Sequence, residues 1–340
     1  MSLKIDSLIQ TVPDFSGVIL LADHGVIKYH RAFGFRNRER QVALDTLDIF
    51  ELASVSKQFT SMIIMMLQEA GRLQFDDSLS TYIKGLPYNG ITIRNLLTHT
   101  SGLPDYQAVM DEHWDKSKVA GNEDNIAYLI KYKPSILFKP GDRYKYSNTG
   151  YMLLASIAEK TSGNDFIELC RKRIFSKLKM KSTDIRTRVE KQSIENFALG
   201  YIYESGKERY VTADSFPEFN YAIWLGNRKG PGRISSTSND LLLWDRALYT
   251  EDLIRKKTLD IAYTPMTLNN DSISNYGFGW NITTDSLLGK VVSHTGDNPG
   301  YKTEIVRYID RDKTIIFLNN NAHPKKAEIM AEIRKIVSRN

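Results

Sequence analysis

Ser54 and Lys57 are two side chains that could act together as a nucleophile and its base. They lie three residues apart in the stretch ELASVSKQFT, residues 51–60. On a helix, residues i and i+3 share a face, so the lysine amine can approach the serine hydroxyl and remove its proton. The amine must first be desolvated or crowded by positive charge, because an ordinary lysine stays protonated at neutral pH. Ser56 adjoins Lys57 and points elsewhere, so Ser54 is the predicted nucleophile.

A purely structural explanation of this pair is also open. Ser54 could cap the helix that the apolar spacing predicts from Val55 to Gly71, with Lys57 in solvent. The same S-x-x-K pattern recurs at Ser176 and Lys179, where nothing indicates chemistry. The pattern therefore needs support from other parts of the chain.

A second motif, Tyr146-Ser147-Asn148, follows a loop that contains proline and glycine and precedes a predicted helix. A tyrosine can act as an acid or base if cationic neighbours lower its pKa. An asparagine can donate to a substrate carbonyl and accept from a lysine ammonium. The alternative is an ordinary capped turn, with Ser147 or Asn148 as the N-cap.

A third motif, His294-Thr295-Gly296, ends the predicted strand KVVSHTG. A strand edge with these residues could guide an extended substrate, and glycine permits close approach of the substrate backbone. The following N–H groups could stabilise an oxyanion. The alternative is a strand-end turn with a structural histidine.

The predicted secondary structure around these motifs changes from strands to helices and back to strands along the chain. Alternating and β-branched runs predict strands near the N-terminus and in the last third, with helical segments between them. The fold class is therefore α/β of the α+β type: an antiparallel sheet formed by both termini and flanked by helices, plus a mainly helical insertion. We predict one unit, residues 1–340, with an α/β lobe at about 1–78 and 230–340 and a helical lobe at about 79–229.

Composition excludes several classes of function. The chain has 340 residues, a formal net charge of +6 and one cysteine, Cys170, so no internal disulfide can form. The basic run at residues 171–181 accompanies no nucleic-acid-binding motif, so we expect no nucleic-acid partner. No apolar run approaches the roughly 20 residues of a transmembrane helix, and the first residues of the given chain do not read as a signal peptide. The oligomeric state is left open.

The three motifs in this order resemble those of the serine β-lactamase-like and penicillin-binding protein superfamily, for which S-x-x-K is a signature. The sequence is most similar to the branch of class C β-lactamases, D-alanyl-D-alanine carboxypeptidases and carboxylesterases, where Y-x-N replaces S-D-N and histidine often replaces the lysine of K-T-G. Framework segments such as LLTHTSGLPDY extend the resemblance over about residues 14–318. His99, within that segment, is interpreted as part of the framework.

The resemblance implies a β-lactamase/transpeptidase-like fold and a role for each site residue. Ser54 would form an acyl-enzyme, and Lys57 and Tyr146 would manage its proton, with Tyr146 favoured as the base and the division left open. Asn148 would orient Lys57 and the substrate amide. The remaining implied roles are substrate contact by His294, Thr295 and Gly296, and an oxyanion hole formed by the backbone N–H groups of Ser54 and Asp297. No metal or cofactor is implied.

Asp297 departs from the family pattern, in which glycine, serine or threonine usually follows the third motif. A carboxylate there would repel a substrate carboxylate, by about 1 kcal/mol at 4 Å in water. Pairing of Asp297 with a nearby Arg or Lys would weaken this objection.

The predicted function is thus a serine hydrolase acting on an ester, a D-peptide amide or a β-lactam carbonyl in a small-molecule or peptide substrate. The alternative is a non-catalytic or slowly deacylating protein on the same fold that binds β-lactams or peptidoglycan fragments. The resemblance favours an extracytoplasmic location, with a cytoplasmic one left open.

Overall fold

The computed structural model describes residues 1–339. The strands are β1 Gly17–Asp23, β2 Val26–Phe33, β3 Phe35–Asn37, β4 Val42–Ala43, β5 Phe50–Glu51, β6 Asp184–Ile185, β7 Tyr201–Glu204, β8 Arg209–Thr212, β9 Ile234–Ser236, β10 Met266–Thr267, β11 Ile273–Ser274, β12 Asn281–Asp285, β13 Gly289–Asn298, β14 Tyr301–Tyr308 and β15 Lys313–Asn319.

The helices fall mostly between the first and the last strands. The α-helices are α1 Ser2–Gln10, α2 Lys57–Glu69, α3 Leu79–Tyr82, α4 Ile93–Leu97, α5 Tyr106–His113, α6 Asn122–Tyr132, α7 Asn148–Ser162, α8 Phe166–Cys170, α9 Arg188–Gln192, α10 Tyr221–Trp224, α11 Ser238–Ala247, α12 Lys256–Ala262 and α13 Lys326–Ser338. A 3₁₀-helix, Ala53–Ser56, leads directly into α2.

The largest sheet has six antiparallel strands in the order β12-β13-β14-β15-β1-β2. Strand β1, from the start of the chain, pairs with β15, from its end, through Gly17 opposite Asn319. The predicted antiparallel sheet formed by both termini is confirmed. The strands of this sheet fall within the predicted α/β lobe, and the exact division into lobes stays a prediction.

Both faces of this sheet are covered, and strand β1 reads as one apolar run for that reason. Its side chains alternate, with Ile19 and Leu21 packing into a core that includes residues of α1 and α13. Val18 and Leu20 pack into the larger core on the opposite face, which includes buried residues of α2, α7 and α11. The motif-bearing helices α2 and α7 are therefore fixed by the main core.

Several local predictions are confirmed and others need correction. The stretch DHG predicts a hairpin connection, and the hairpin of β1 and β2 turns there, through His24 and Gly25. The helical pattern around Cys170 predicts that this residue is buried, and it is. The sequence predicts Ser238 or Asn239 as the N-cap of α11, which is wrong, because the side chain of Thr237 accepts the capping hydrogen bond. Helix α1 has no counterpart among the predicted elements.

Candidate active site

Ser54 lies at the point where a short strand becomes a helix. Strand β5 pairs with β9, and the chain then enters the 3₁₀-helix that contains Ser54. Ala53 has a φ of 49°, a left-handed conformation that costs a non-glycine residue free energy. Such strain is kept only where the surrounding structure imposes it, and here it directly precedes the predicted nucleophile.

Lys57 is fully buried and makes three short contacts. Its Nζ lies 3.0 Å from Oγ of Ser54, 2.9 Å from Oδ1 of Asn148 and 2.8 Å from the carbonyl oxygen of Pro231. The carbonyl oxygens of Asn148 and Pro231 only accept hydrogen bonds, so they take two N–H groups of the amine. The third position faces Ser54, and on a neutral amine that position is a lone pair able to accept the serine proton.

The surroundings of Lys57 favour that neutral amine. Burial lowers the pKa of Lys57 well below its ordinary value, and the positive charge of Arg228 lowers this pKa further. These are the two conditions, desolvation and nearby positive charge, that a lysine base requires. Arg228 and the carbonyl of Pro231 were missed by the sequence analysis, because no motif marks the loop that carries them.

Tyr146 and Asn148 come to Ser54 and Lys57 at the start of α7. Ser147 caps this helix through its hydroxyl, which accepts from the N–H of Gly150. The centre of the Tyr146 ring lies 4.7 Å from Nζ of Lys57, and the residue as a whole is 39% exposed. Burial of its hydroxyl raises the pKa of Tyr146, and a hydrogen bond with Ser54 lowers this pKa in part. Tyr146 is therefore protonated at neutral pH in this state.

His99 holds the Tyr146 segment in place. Its Nδ1 accepts from the N–H of Ser147 at 3.1 Å, and its ring packs on that of Tyr146 with centroids 4.2 Å apart. Burial lowers the pKa of His99 well below its ordinary value, so the ring is neutral. The structure places His99 beside the site as a support for Tyr146.

His294 is buried beneath the site. Its Nδ1 lies 2.7 Å from the carbonyl oxygen of Thr295, which can only accept, so Nδ1 carries the proton and Nε2 accepts from the Tyr276 hydroxyl at 2.8 Å. Burial is the main cause that lowers the pKa of His294, to about 3. With both nitrogens engaged, the structure supports a part for His294 in fixing the strand that carries Thr295.

Gly296 permits a close approach within the protein itself. A Cβ at this position would collide with the carbonyl oxygen of Leu52 and the hydroxyl of Thr303. The glycine of the third motif thus lets β13 pack against the segment that presents Ser54. This contact differs in kind from the approach of a substrate backbone that the sequence analysis assigned to Gly296.

The edge of β13 beside Ser54 has no strand partner among residues 1–339. Strand β12 ends opposite Ser293, so Thr295 and Asp297 lie beyond its last pair, and both are exposed. Asn298 pairs with Tyr301 across a two-residue turn, and the alternation of antiparallel hydrogen bonds directs the N–H of Asp297 to this open edge. The N–H of Ser54 lies in the first helical turn, where backbone donors lack intrahelical partners. These two N–H groups are suited to an oxyanion.

The carboxylate of Asp297 forms an ion pair with Lys302, the residue directly opposite on β14. The Asp297 side chain is 71% exposed, so this pair adds little stability, but its lysine offsets the local negative charge. The pairing that weakens the objection to a substrate carboxylate is therefore present.

Within residues 1–339 no group of three or more His, Cys, Asp or Glu side chains is arranged to hold a metal ion. In the same range, no helix is long and apolar enough to cross a membrane.

Comparison with known proteins gives related sequences along nearly the whole chain. The model of the family described as Beta-lactamase matches residues 5–338. Penicillin-binding protein 4* of Bacillus subtilis (strain 168) is 40% identical over 315 residues, which cover 92% of this chain and 70% of that protein.

Solved structures have the same fold. A penicillin-binding protein homologue from Pyrococcus abyssi, described as octameric, has a TM-score of 0.83 and 27% identity, covering 99% of this chain and 78% of that one. The penicillin-binding protein from Bacillus halodurans has a TM-score of 0.83 and 25% identity, covering 99% of this chain and 100% of that one. The predicted superfamily, fold class and enzyme class are confirmed, and this chain belongs to the Beta-lactamase family as a serine hydrolase.

Proposed function

We propose that the chain hydrolyses an ester, a D-peptide amide or a β-lactam through an acyl-enzyme at Ser54. The observation that carries this proposal is the 3.0 Å contact between Nζ of Lys57 and Oγ of Ser54, made while the other two donors of the amine are held by carbonyl oxygens. A serine becomes a useful nucleophile only when such a base is in reach.

In the proposed reaction, Lys57 takes the proton of Ser54 as Oγ attacks the substrate carbonyl carbon. The N–H groups of Ser54 and Asp297 stabilise the tetrahedral oxyanion. The bond to the leaving group then breaks, and the leaving group receives a proton from Tyr146, which recovers one from Lys57. Water, deprotonated by the same pair, releases the acyl group and restores Ser54.

The resting state supports Lys57, in place of Tyr146, as the first base. The pKa of Lys57 is lowered and that of Tyr146 is raised, in both cases mainly by burial. A group that accepts a proton must begin deprotonated, and only Lys57 is shifted in that direction. Tyr146 then serves as the proton relay between Ser54 and the leaving group.

The substrate range is proposed to include molecules that carry a carboxylate. The sequence argument against them depended on a free Asp297, and Lys302 pairs with that residue. Penicillins and D-peptides therefore stay within the proposed range alongside esters. An extracytoplasmic location is proposed on the family resemblance alone.

The experiment is to incubate the protein with a fluorescent penicillin and, separately, with p-nitrophenyl esters of short acids. The wild type should be labelled or turn over substrate, and Ser54→Ala should do neither. Ser176→Ala is the matched control, because Ser176 is an exposed serine in the second S-x-x-K pattern of the chain. Equal activity in wild type and Ser54→Ala would refute the proposal. Rapid labelling without release would instead favour a binding or sensor protein.

A further inference from the structure

A second cavity opens beside the cleft of Ser54. The two share four lining residues, Glu51, Arg228, Arg233 and Asn298. The second cavity, which is partly open to solvent, has a volume of about 120 Å³, which is room for one substituent of a larger ligand. A substrate held at Ser54 can therefore extend a substituent into it.

The acidic side chains that line this cavity already have cationic partners. Oε2 of Glu51 lies 2.6 Å from Nζ of Lys191, and Oδ2 of Asp214 lies 2.7 Å from Nη2 of Arg188. Three other lining arginines form no ion pair within residues 1–339; these are Arg186, Arg228 and Arg233. The cavity thus has an excess of positive charge, which Glu51 offsets only in part at Arg228 and Arg233.

Arg233 is the best defined of these three arginines. Its residue is only 7% exposed, its Nη1 donates to the carbonyl oxygen of Arg228 at 3.2 Å, and its buried Nη2 has no hydrogen-bond partner in the described chain. Its backbone has a φ of 77°, which is uncommon for a residue other than glycine. A buried guanidinium nitrogen without a hydrogen-bond partner, on a strained backbone, is costly unless a ligand uses it.

Arg228 lines both the cleft and the cavity. Its Nη1 donates to the hydroxyl of Tyr106 at 3.3 Å, and its guanidinium carbon lies 5.8 Å from the centre of the Tyr221 ring. Its charge also reaches Lys57, whose pKa it lowers. Arg228 therefore lies close enough to the reacting groups to touch the same substrate.

We propose that Arg228 and Arg233 bind a carboxylate of the substrate, on a part of the molecule remote from the reacting carbonyl. The planar guanidinium matches a carboxylate in shape and charge, and burial strengthens the contact. The nearby carboxylates of Glu51 and Asp297 do not oppose it, since each is paired with a lysine. This inference rests on the proposed hydrolysis at Ser54 and specifies the substrates of that site.

The test compares esters that differ only in one distant charge. One pair carries the charge on the acyl side, mono-p-nitrophenyl adipate against methyl p-nitrophenyl adipate. The other carries it on the leaving group, 4-acetoxybenzoate against methyl 4-acetoxybenzoate. The ratio of kcat/KM for the charged and neutral esters cancels any general effect of a substitution on Ser54 or Lys57.

We expect the wild type to prefer the charged member of at least one pair. Arg233→Gly, which suits the backbone, and Arg228→Gln should each reduce that preference roughly tenfold, as expected for one charge-assisted hydrogen bond. Arg40→Gln, which removes an exposed arginine elsewhere, should leave the ratio unchanged. No preference for the charged ester in either pair, or a preference unchanged in both cavity variants, would overturn the proposal.

Failure of the hydrolase proposal would look different. In that case no ester would be turned over at all, and calorimetric titration with adipate would test the cavity independently. Binding of adipate by the wild type that weakens about tenfold in Arg233→Gly would support the carboxylate site. Equal binding by both proteins, or no binding by either, would refute it.

Discussion

Nζ of Lys57 lies 3.0 Å from Oγ of Ser54, and the carbonyl oxygens of Asn148 and Pro231 occupy the other two donors of the amine. This arrangement aims the remaining position of the nitrogen at the serine. It also makes the protonation state of Lys57 the switch for the proposed reaction, since an ammonium in this place could not accept the serine proton.

The acid limb of the rate profile should report Lys57 and respond to Arg228. A base works only when deprotonated, so kcat/KM should fall as the pH drops through the lowered pKa of Lys57. Arg228→Met removes a positive charge that helps to lower this pKa, so the pKa should rise and the acid limb should move to higher pH. The measurement is kcat/KM for a neutral ester between pH 5 and pH 10. An acid limb at the same pH in both proteins would contradict this coupling.

Tyr146→Phe should slow acylation while the ring stays packed on His99. The substitution keeps the packing on His99 and removes the hydroxyl that interacts with Ser54. Loss of a proton relay should reduce the acylation rate on the order of 10²-fold. Stopped-flow kinetics measures the acylation rate. Tyr144→Phe is the control, since the Tyr144 ring also contacts that of His99, with ring centroids 6.0 Å apart. Acylation at the wild-type rate would exclude Tyr146 from the proton path.

The buried histidines should make the protein less stable as the pH falls. In the folded protein the pKa of His294 is lowered to about 3, and that of His99 is also well below its ordinary value, in both cases mainly by burial. Below about pH 6.5 the unfolded chain therefore binds protons that the folded protein does not. The free energy of unfolding should then fall by roughly 1 kcal/mol per pH unit for each histidine.

Urea unfolding at pH 7.5, 6.0 and 5.0 would measure this decline. His294→Gln removes one of the two groups, so the decline should be shallower in that variant than in the wild type. His24→Gln is the matched control, because His24 is exposed. An equally steep decline in His294→Gln and wild type would mean that His294 is protonated in the folded protein.

A buried ion pair should govern stability away from the active site. Arg307 and Asp245 are both fully buried, with Nε of Arg307 2.6 Å from Oδ1 of Asp245. Arg307→Met leaves the carboxylate with fewer partners in the core and should lower the free energy of unfolding by about 3 kcal/mol. Chemical denaturation measures this change. Lys335→Met, which breaks an exposed pair with Glu332, should change it by less than about 1 kcal/mol.

Sequence spacing predicted that the side chains of Ser54 and Lys57 lie close together, since helical periodicity places residues i and i+3 on one face. Asn148 was placed near Lys57 through the family resemblance, and the structure brings them to 2.9 Å. The 3₁₀ turn at Ser54 and the left-handed Ala53 could not be predicted, because no local residue type marks them and because β13, which packs against this segment, lies far along the chain. That packing also explains why residue 296 is a glycine, since a Cβ there would collide with neighbouring atoms.

The sequence did not predict which charged residues surround the site. Arg228 and Arg233 lie in the loop NRKGPGR, whose glycine and proline content predicts a loop and leaves its path open. Only the folded chain brings this loop against Lys57. The pairing of Asp297 with Lys302 depends on the register of a two-residue hairpin, which the sequence analysis did not assign.

The acyl-enzyme at Ser54 is tested by the mass of the protein after a brief reaction with a penicillin or an activated ester, followed by acid quenching and peptide mapping. We expect an added acyl mass on the peptide that contains Ser54, at that residue, in the wild type and in Ser176→Ala. An adduct on any other residue, or the same adduct in Ser54→Ala, would contradict it.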